Sequence, residues 1–291
     1  MKTRLALFML VSAFSLFPSA LLHAGTTIDT ANHYTYGANL GWMDWRGDTA
    51  SGAAIGEYIC SGYIYSANVG WISLGSSTPA DGIYYQNNSA TDWGVNQDGL
   101  GNLRGYAWGA NIGWINFEKT GAPKVDLYTG KLSGYIYSAN CGWISLSNAY
   151  ADLQTDTIAP GTDTDGDGIP DAWELQEFGN LTTANATSDF DGDGVSDRNE
   201  YLAGTNPKDG SSFLHITSIA RGGPSHATTH VTLQWTSVPN RFYAVQAAPS
   251  LGQSPFADIF AISFPGPSLA GFDDYSTNDF YRIRVFRPLM P

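Results

Sequence analysis

Four copies of one aromatic motif lie between residues 25 and 150 and constrain the fold more than any other feature of the chain. The copies read YTYGANLGWMDW (34–45), YIYSANVGWISL (63–74), YAWGANIGWINF (106–117) and YIYSANCGWISL (135–146). Each combines an aromatic strand, an Ala-Asn-x-Gly turn and a strand led by tryptophan, which is the pattern of a β-hairpin. Asparagine tolerates left-handed backbone and glycine supplies it, so both suit the turn. The repeat predicts an antiparallel β domain built from four hairpins.

Alternation along these strands separates the side chains into two faces. One face is aliphatic, as in Ile64, Ile72 and Leu74, and is predicted to face the core. The other face alternates large rings with small polar residues, and it is a candidate ligand face comprising Tyr63, Tyr65, Trp71, Tyr106, Trp108, Trp114, Tyr135, Tyr137 and Trp143. Either these rings pack as cross-strand pairs that stiffen the repeat, or they stack on sugar rings of a polysaccharide. The motif resembles tandem aromatic repeats of uncharacterised secreted bacterial proteins, which implies no activity.

Two twelve-residue acidic loops follow, DTDGDGIPDAWE from Asp163 and DFDGDGVSDRNE from Asp189. Both fit the calcium-loop pattern D-x-D-x-D-G-x5-E, in which carboxylates and one carbonyl surround a hard cation and glycine permits a sharp turn. Without a cation, carboxylates crowded this closely would repel one another. The chain is therefore predicted to bind two Ca²⁺ ions. The predicted ligands are Asp163, Asp165, Asp167, Ile169 (carbonyl), Asp171 and Glu174, and in the second loop Asp189, Asp191, Asp193, Val195 (carbonyl), Asp197 and Glu200.

These loops differ from ordinary EF-hands because the segments before them, TIAPGT and TTANATS, are poor helix formers. Only outgoing helices are predicted, in DAWELQEF and DRNEYLA, ended by Gly179 and Gly204. The DxDGDGIPD core resembles thrombospondin type-3 repeats, which implies a calcium-loaded module of a secreted or surface protein. The usual cysteines of that family are absent. Because a short helix follows each loop, a dockerin-like loop and helix remains the alternative.

The first 24 residues have the pattern of a secretory signal peptide. Lys2 and Arg4 precede an apolar run too short to span a bilayer, and Leu22-His23-Ala24 resembles a cleavage site. The chain is therefore expected to be secreted or on the cell surface, with no membrane span. Its formal net charge is −13 and it has no basic cluster, which argues against nucleic acid as a partner.

The remaining organisation follows from changes in composition. Residues 151–210 form a linker that contains the acidic loops, and residues 211–291 predict a β-sandwich-like module of five short strands, of immunoglobulin or fibronectin-III type by pattern. The predicted fold class is mainly β and multidomain. Cys60 and Cys141 replace apolar residues of other copies, so they are either two buried thiols or, in an oxidising compartment, one disulfide.

No catalytic motif stands out in the sequence. The segment His226-Ala-Thr-Thr-His230 lacks the glutamate of a zinc hydrolase, and no nucleophile elbow or phosphate-binding glycine loop is present. A pair of glycosidase carboxylates remains the enzyme alternative. The sequence favours a non-enzymatic, calcium-binding structural or adhesive protein whose connector is rigidified by calcium. The second hypothesis is a carbohydrate-binding protein that uses the aromatic face. The expected partner is accordingly an extracellular polysaccharide or a surface protein.

Overall fold

The computed structural model describes residues 25–76, 78–222, 230–250, 255–262, 269–275 and 280–289. The predicted signal peptide, residues 1–24, lies outside the described residues. The described residues divide into two compact units, one of residues 25–201 with 288–289 and one of residues 202–287. As predicted, the chain is mainly β, and the described residues contain two short α-helices.

The unit of residues 25–201 contains fourteen short strands among its described residues. They are β1 (Ile28–Gly37), β2 (Gly41–Asp44), β3 (Ala54–Ile55), β4 (Cys60–Ser61), β5 (Tyr63–Ser66), β6 (Gly70–Ser73), β7 (Val95–Gln97), β8 (Leu103–Gly109), β9 (Gly113–Asn116), β10 (Lys124–Val125), β11 (Leu132–Ser133), β12 (Tyr135–Ser138), β13 (Gly142–Ser145) and β14 (Leu153–Thr155). The repeat copies form the four hairpins β1–β2, β5–β6, β8–β9 and β12–β13. The four-hairpin prediction is therefore confirmed.

The four hairpins join into one closed antiparallel sheet of eight strands. Neighbouring hairpins pair in register, and the last hairpin returns to the first, through the pairs Asp44–Tyr65, Ser73–Trp108, Asn116–Tyr137 and Ser145–Tyr36. Closure places the aliphatic face inside, where Ile64, Ile72 and Leu74 have no exposed surface. The rings of the opposite face consequently lie on the outside of the closed sheet. A closed sheet leaves no unpaired edge for other chains to extend.

The turn asparagines connect neighbouring hairpins. Each donates its side-chain Nδ2 to a carbonyl in the turn of the preceding copy: Asn39 to Cys141, Asn68 to Leu40, Asn111 to Val69 and Asn140 to Ile112, at 2.8–3.3 Å. The four bonds form a closed ring at the turn end of the sheet. The following glycines supply the positive φ of each turn, from +72° to +82°, as predicted, and the asparagines themselves do not adopt left-handed backbone. The asparagines stabilise the contact between copies.

Both cysteines are buried free thiols, Cys60 in β4 and Cys141 in the turn of the fourth copy. Burial raises the pKa of the Cys60 thiol to about 12, which disfavours the reactive thiolate. Of the two alternatives, the structure thus has two small apolar residues in the core rather than a disulfide.

The described residues of the unit 202–287 form two three-stranded antiparallel sheets. Its strands are β15 (Ile216–Gly222), β16 (His230–Thr236), β17 (Phe242–Ala248), β18 (Ala257–Ile262), β19 (Leu269–Asp274) and β20 (Phe280–Phe286), in the orders β15-β16-β19 and β18-β17-β20. Val231, Leu233 and Trp235 from one sheet share a core with Tyr243 and Val245 from the other. The sequence predicted five of these strands and missed β19, LAGFDD, whose glycine and aspartates are unfavourable in strands.

Candidate metal centre and exposed aromatic belt

The two acidic loops fold in the same way from the same residue types. In the first loop, the carboxylate of Asp163 accepts hydrogen bonds from the N–H groups of Gly166 and Gly168, at 2.8 and 3.0 Å. In the second loop, Asp189 accepts the matching bonds from Gly192 and Gly194, at 2.8 and 2.9 Å. All four glycines have φ between +75° and +93°, where a side chain would be strained. The first aspartate of each loop therefore folds the backbone around itself.

This folding concentrates carboxylate oxygens at the centre of each loop. The carboxylates at positions 1, 3 and 5 of each loop, Asp163, Asp165 and Asp167 and then Asp189, Asp191 and Asp193, have ligand oxygens within 4.8 Å of one another. Ca²⁺ binds each oxygen at about 2.3–2.6 Å, so two oxygens on opposite sides of one ion can be about twice that distance apart. The spacing in each loop is therefore compatible with a common cation. The structure thus brings together the three leading aspartates that the sequence predicted in each loop.

Several carboxylate oxygens of the predicted calcium ligands are buried and have no hydrogen-bond partner among the described residues. In the first loop they are Oδ2 of Asp167 and both carboxylate oxygens of Glu174, whose side chain has no exposed surface. In the second loop they are Oδ2 of Asp191, Asp193 and Asp197. A buried, unpartnered carboxylate is unfavourable unless a cation or hydrogen-bond donor compensates for the lost solvation. The donor set is made of hard oxygens, so the residues present fit Ca²⁺.

The pKa values of Glu174, Asp167 and Asp193 are raised in the metal-free protein. The pKa of Glu174 is raised to about 7, first by burial and then by the charges of Asp167 and Asp165. Burial also raises the pKa values of Asp167 and Asp193, and their neighbouring aspartates add to the effect. The field inside each loop therefore disfavours added negative charge and favours a cation.

The aspartate at position 9 closes each loop. Both carboxylate oxygens of Asp171 accept hydrogen bonds from Thr164, one from its N–H at 2.8 Å and one from its hydroxyl at 2.5 Å. In the second loop, Asp197 Oδ1 accepts from the N–H of Phe190 at 3.1 Å. Ion contact by Asp171 or Asp197, direct or through water, remains a prediction, as does contact by the carbonyls of Ile169 and Val195.

A short helix leaves each loop and none enters it. Helix α1 (Asp171–Phe178) follows Pro170 and ends at Gly179, whose N–H bonds to Leu175 O at 3.0 Å. Helix α2 (Asp197–Ala203) begins at position 9 of the second loop. Glu174 lies in the first turn of α1, and Glu200 lies in the first turn of α2. The prediction of outgoing helices only is confirmed.

The two acidic loops with their helices pack against each other and against the domain that contains the closed sheet. Trp173 contacts Tyr201 at 5.7 Å between ring centroids, and Phe178 contacts Phe190 at 5.1 Å. The Tyr201 hydroxyl donates to Glu57 Oε2 at 2.9 Å. Nothing in the sequence pattern indicates this Tyr201–Glu57 contact, because its two residues are 144 positions apart.

The nine residues of the candidate ligand face, together with Tyr34, Tyr36 and Trp42 of the first copy, form what we call the aromatic belt, on the outside of the closed sheet. Its rings pair across the strands of each hairpin, so that Tyr65 lies opposite Trp71 and Tyr137 opposite Trp143. Eleven of the twelve rings are exposed, by 38–52 %, and Tyr106 is half-buried. The belt comprises Tyr34, Tyr36, Trp42, Tyr63, Tyr65, Trp71, Tyr106, Trp108, Trp114, Tyr135, Tyr137 and Trp143, with the polar residues Asp44, Ser73, Asn116 and Ser145 between them.

The rings of the aromatic belt pack as the cross-strand pairs of the first alternative, and stacking on sugar rings stays a prediction. The tryptophan in the second strand of each hairpin contacts both rings of the first strand, as Trp71 does with Tyr63 at 6.4 Å and Tyr65 at 4.9 Å. The rings therefore pack as cross-strand pairs while each keeps an open surface. Trp93, which precedes the third copy, adds an edge-on contact with Trp114 at 5.2 Å and was not part of the predicted face.

The comparisons with known proteins concern the acidic loops. The family model for the bacterial TSP3 repeat matches residues 163–179 and 189–210. The match covers both loops with their outgoing helices, and with the aspartate clusters it supports calcium-binding repeats of the thrombospondin type-3 kind. No curated protein and no solved structure matches the chain. Among the described residues, no helix has the length and apolar character needed to cross a membrane.

Proposed function

We propose that this chain is a secreted, non-catalytic structural or adhesive protein whose connector is organised by two Ca²⁺ ions. The observation that carries the proposal is the set of buried, unpartnered carboxylate oxygens in both loops, including both oxygens of Glu174. Such groups destabilise the metal-free fold, and a divalent cation at each loop would compensate for them. The bacterial TSP3 match over the same residues supports the same ion.

Calcium would act on the connector through the two helices. Glu174 is in α1 and Glu200 is in α2, so an ion that binds the loop aspartates and these glutamates fixes the start of each helix. Helix α2 continues to Ala203, past Leu202, where the second compact unit begins. Ordering this helix would therefore limit the freedom of the chain at the point where the two units are joined.

The test is calcium titration by calorimetry with one variant per loop. Asp167→Ala and Asp193→Ala should each remove one ion from a wild-type stoichiometry of two, with dissociation constants on the order of 10⁻⁴–10⁻³ M, as for extracellular modules. Asp209→Ala, an acidic change outside both loops, is the matched control and should leave the stoichiometry unchanged. An unchanged stoichiometry in both loop variants would refute the ligand assignment.

A second candidate function is carbohydrate binding by the aromatic belt. The observation that favours it is the exposure of the rings, since Trp42, Trp71 and Trp143 each keep nearly half of their surface open. An aromatic ring that only packs stabilises the fold most when its apolar surface is fully buried, so packing alone does not account for this exposure. A glycan array with Trp71→Ala and Trp143→Ala tests this function, and Tyr128→Ala, an exposed ring outside the belt, is the control. Loss of sugar binding in variants that keep their fold supports this function. The function is refuted if the wild type binds no sugar and the tryptophan variants unfold.

A further inference from the structure

The first hairpin places a carboxylate in the aromatic belt where the other hairpins have uncharged residues. Asp44 Oδ1 lies 2.7 Å from His33 Nδ1 and accepts the Arg46 N–H at 2.8 Å. Asp44 Oδ2 makes no hydrogen bond within the described part of the chain, and the side chain is 24 % exposed. The carboxylate is thus oriented through one oxygen and presents the other at the surface.

Two tyrosines flank this carboxylate. Tyr34 lies opposite Asp44 within the hairpin, and Tyr65 lies opposite it on the neighbouring hairpin. Both rings are exposed, and His33 stacks on Tyr34 with 4.0 Å between ring centroids. An oriented hydrogen-bond acceptor between two open aromatic faces is suited to a ligand with hydroxyl groups on its rim and C–H groups on its face.

The other three hairpins place an uncharged residue at the matching position, and at the third position the amide of Asn116 donates a hydrogen bond to the carboxylate of Glu118. Ser73 lies between Tyr63 and Trp108, Asn116 between Tyr106 and Tyr137, and Ser145 between Tyr135 and Tyr36. The positions at Ser73 and Ser145 carry no charge that would hold a cationic ligand, and no position of the belt is a lysine or arginine that would attract an anion. The shared chemistry of the four positions is therefore that of a neutral, polyhydroxylated ligand.

Repetition around a closed sheet also favours a repeating ligand. The four positions lie on successive hairpins of a ring and face outward in different directions. A single folded partner would cover one side of the ring and leave the other positions without a contact. A polysaccharide presents the same unit many times, so binding at several positions adds avidity.

We propose that Asp44, between Tyr34 and Tyr65, is the principal subsite for a neutral carbohydrate. Sugar hydroxyls donate to Asp44 Oδ2, the C–H face of the sugar stacks on a tyrosine, and the positions at Ser73, Asn116 and Ser145 are weaker subsites. The carboxylate distinguishes the first position, because a hydrogen bond to an ionised acceptor is stronger than one to a neutral group. This inference rests on the carbohydrate-binding function proposed above as the second candidate.

The test is calorimetric titration of the calcium-loaded, full-length protein with neutral hexasaccharides of glucose, mannose, xylose and N-acetylglucosamine. Asp44→Asn keeps the shape of the side chain and removes its charge, so it should weaken binding about tenfold. Tyr65→Ala should weaken binding to a similar extent by removing one stacking face. Tyr150→Ala, which removes a ring exposed by 89 % outside the belt, should have no effect. Thermal melting of each variant verifies that the fold is retained.

The outcomes separate the subsite from the broader function. Sugar binding that resists Asp44→Asn and Tyr65→Ala but is lost in Trp143→Ala overturns the subsite and leaves the carbohydrate function standing. No binding of any hexasaccharide at 10 mM, about ten times a millimolar dissociation constant, overturns both. Binding of a quaternary amine that depends on Asp44 would also overturn the proposal, because it would make the site a cation site. Self-association of the wild type that disappears in Trp71→Ala would instead make the belt a contact between copies of the chain.

Discussion

Calcium binding at the first loop should release a proton, and Glu174 is the group that releases it. With a pKa of about 7, this carboxyl is protonated in about nine of ten metal-free molecules at pH 6 and in about one of ten at pH 8. Calcium requires the ionised form, so binding should release about 0.9 proton at pH 6 and about 0.1 at pH 8. Below pH 7 the apparent dissociation constant should rise about tenfold for each unit by which the pH falls.

The assay is calcium calorimetry in two buffers of different ionisation enthalpy, since the difference in heat gives the number of protons released. Asp193→Ala isolates the first loop, and Glu174→Gln in that background should abolish the release because glutamine does not titrate. Equal heats in both buffers at pH 6 would refute the assignment of Glu174 as a buried ligand. A release that persists in Glu174→Gln would assign the proton to another group.

The same shift predicts the pH dependence of stability without metal. The ordinary pKa of this carboxyl is 4.5 and its value in the folded chain is about 7, so between these values the folded state binds more protons than the unfolded state. The contribution of Glu174 to the free energy of unfolding therefore falls as pH rises from about 4.5 to about 7. Saturating calcium should remove this dependence, because the bound carboxylate stays ionised in the folded state.

Two further changes test the packing of the loops and of the sheet. Gly168→Ala should weaken calcium binding at the first loop, because φ is +90° there and the new Cβ would lie 2.5 Å from Arg198 Nε. Gly179→Ala is the calorimetric control, since Gly179 also has positive φ but has open space around it. Asn68→Ala should lower the free energy of unfolding by about 1 kcal/mol, since it removes the 2.8 Å bond to Leu40 O. Urea unfolding measures the second effect, and an unchanged midpoint would mean that the ring of asparagines adds nothing to stability.

The sequence predicted the hairpins because their signals are local. Alternating aliphatic residues and an Ala-Asn-x-Gly turn determine strand, turn and inner face within twelve residues, and Ile64 and Ile72 are buried as expected. Closure of the sheet depends on pairs such as Tyr36 with Ser145, which are more than one hundred residues apart. No local pattern indicates that the fourth hairpin returns to the first. The role of the asparagines was missed for the same reason, since their partners belong to another copy.

The candidate metal centre was also largely readable, with one difference in detail. Spacing alone identified the leading aspartates, because a calcium loop needs oxygens at fixed positions of one continuous segment. The sequence treated position 9 only as a ligand, yet both oxygens of Asp171 bind Thr164. Whether a carboxylate faces the centre of a loop or its own backbone depends on side-chain orientation, which the spacing does not encode.

The segment that contains the two acidic loops leaves the closed sheet domain and returns to it at the same residue, Glu57. The Glu57 N–H donates to Ala159 O at 2.9 Å, and the Glu57 carboxylate accepts the Tyr201 hydroxyl at 2.9 Å. Residues 160–200 therefore form an excursion of the chain whose two ends are held at Glu57. Because the ends are already held together, bound calcium would not have to offset the entropic cost of closing a long loop. It would need only to order the acidic turns. This arrangement explains how sites with modest affinity would be sufficient to keep the segment folded where calcium is plentiful.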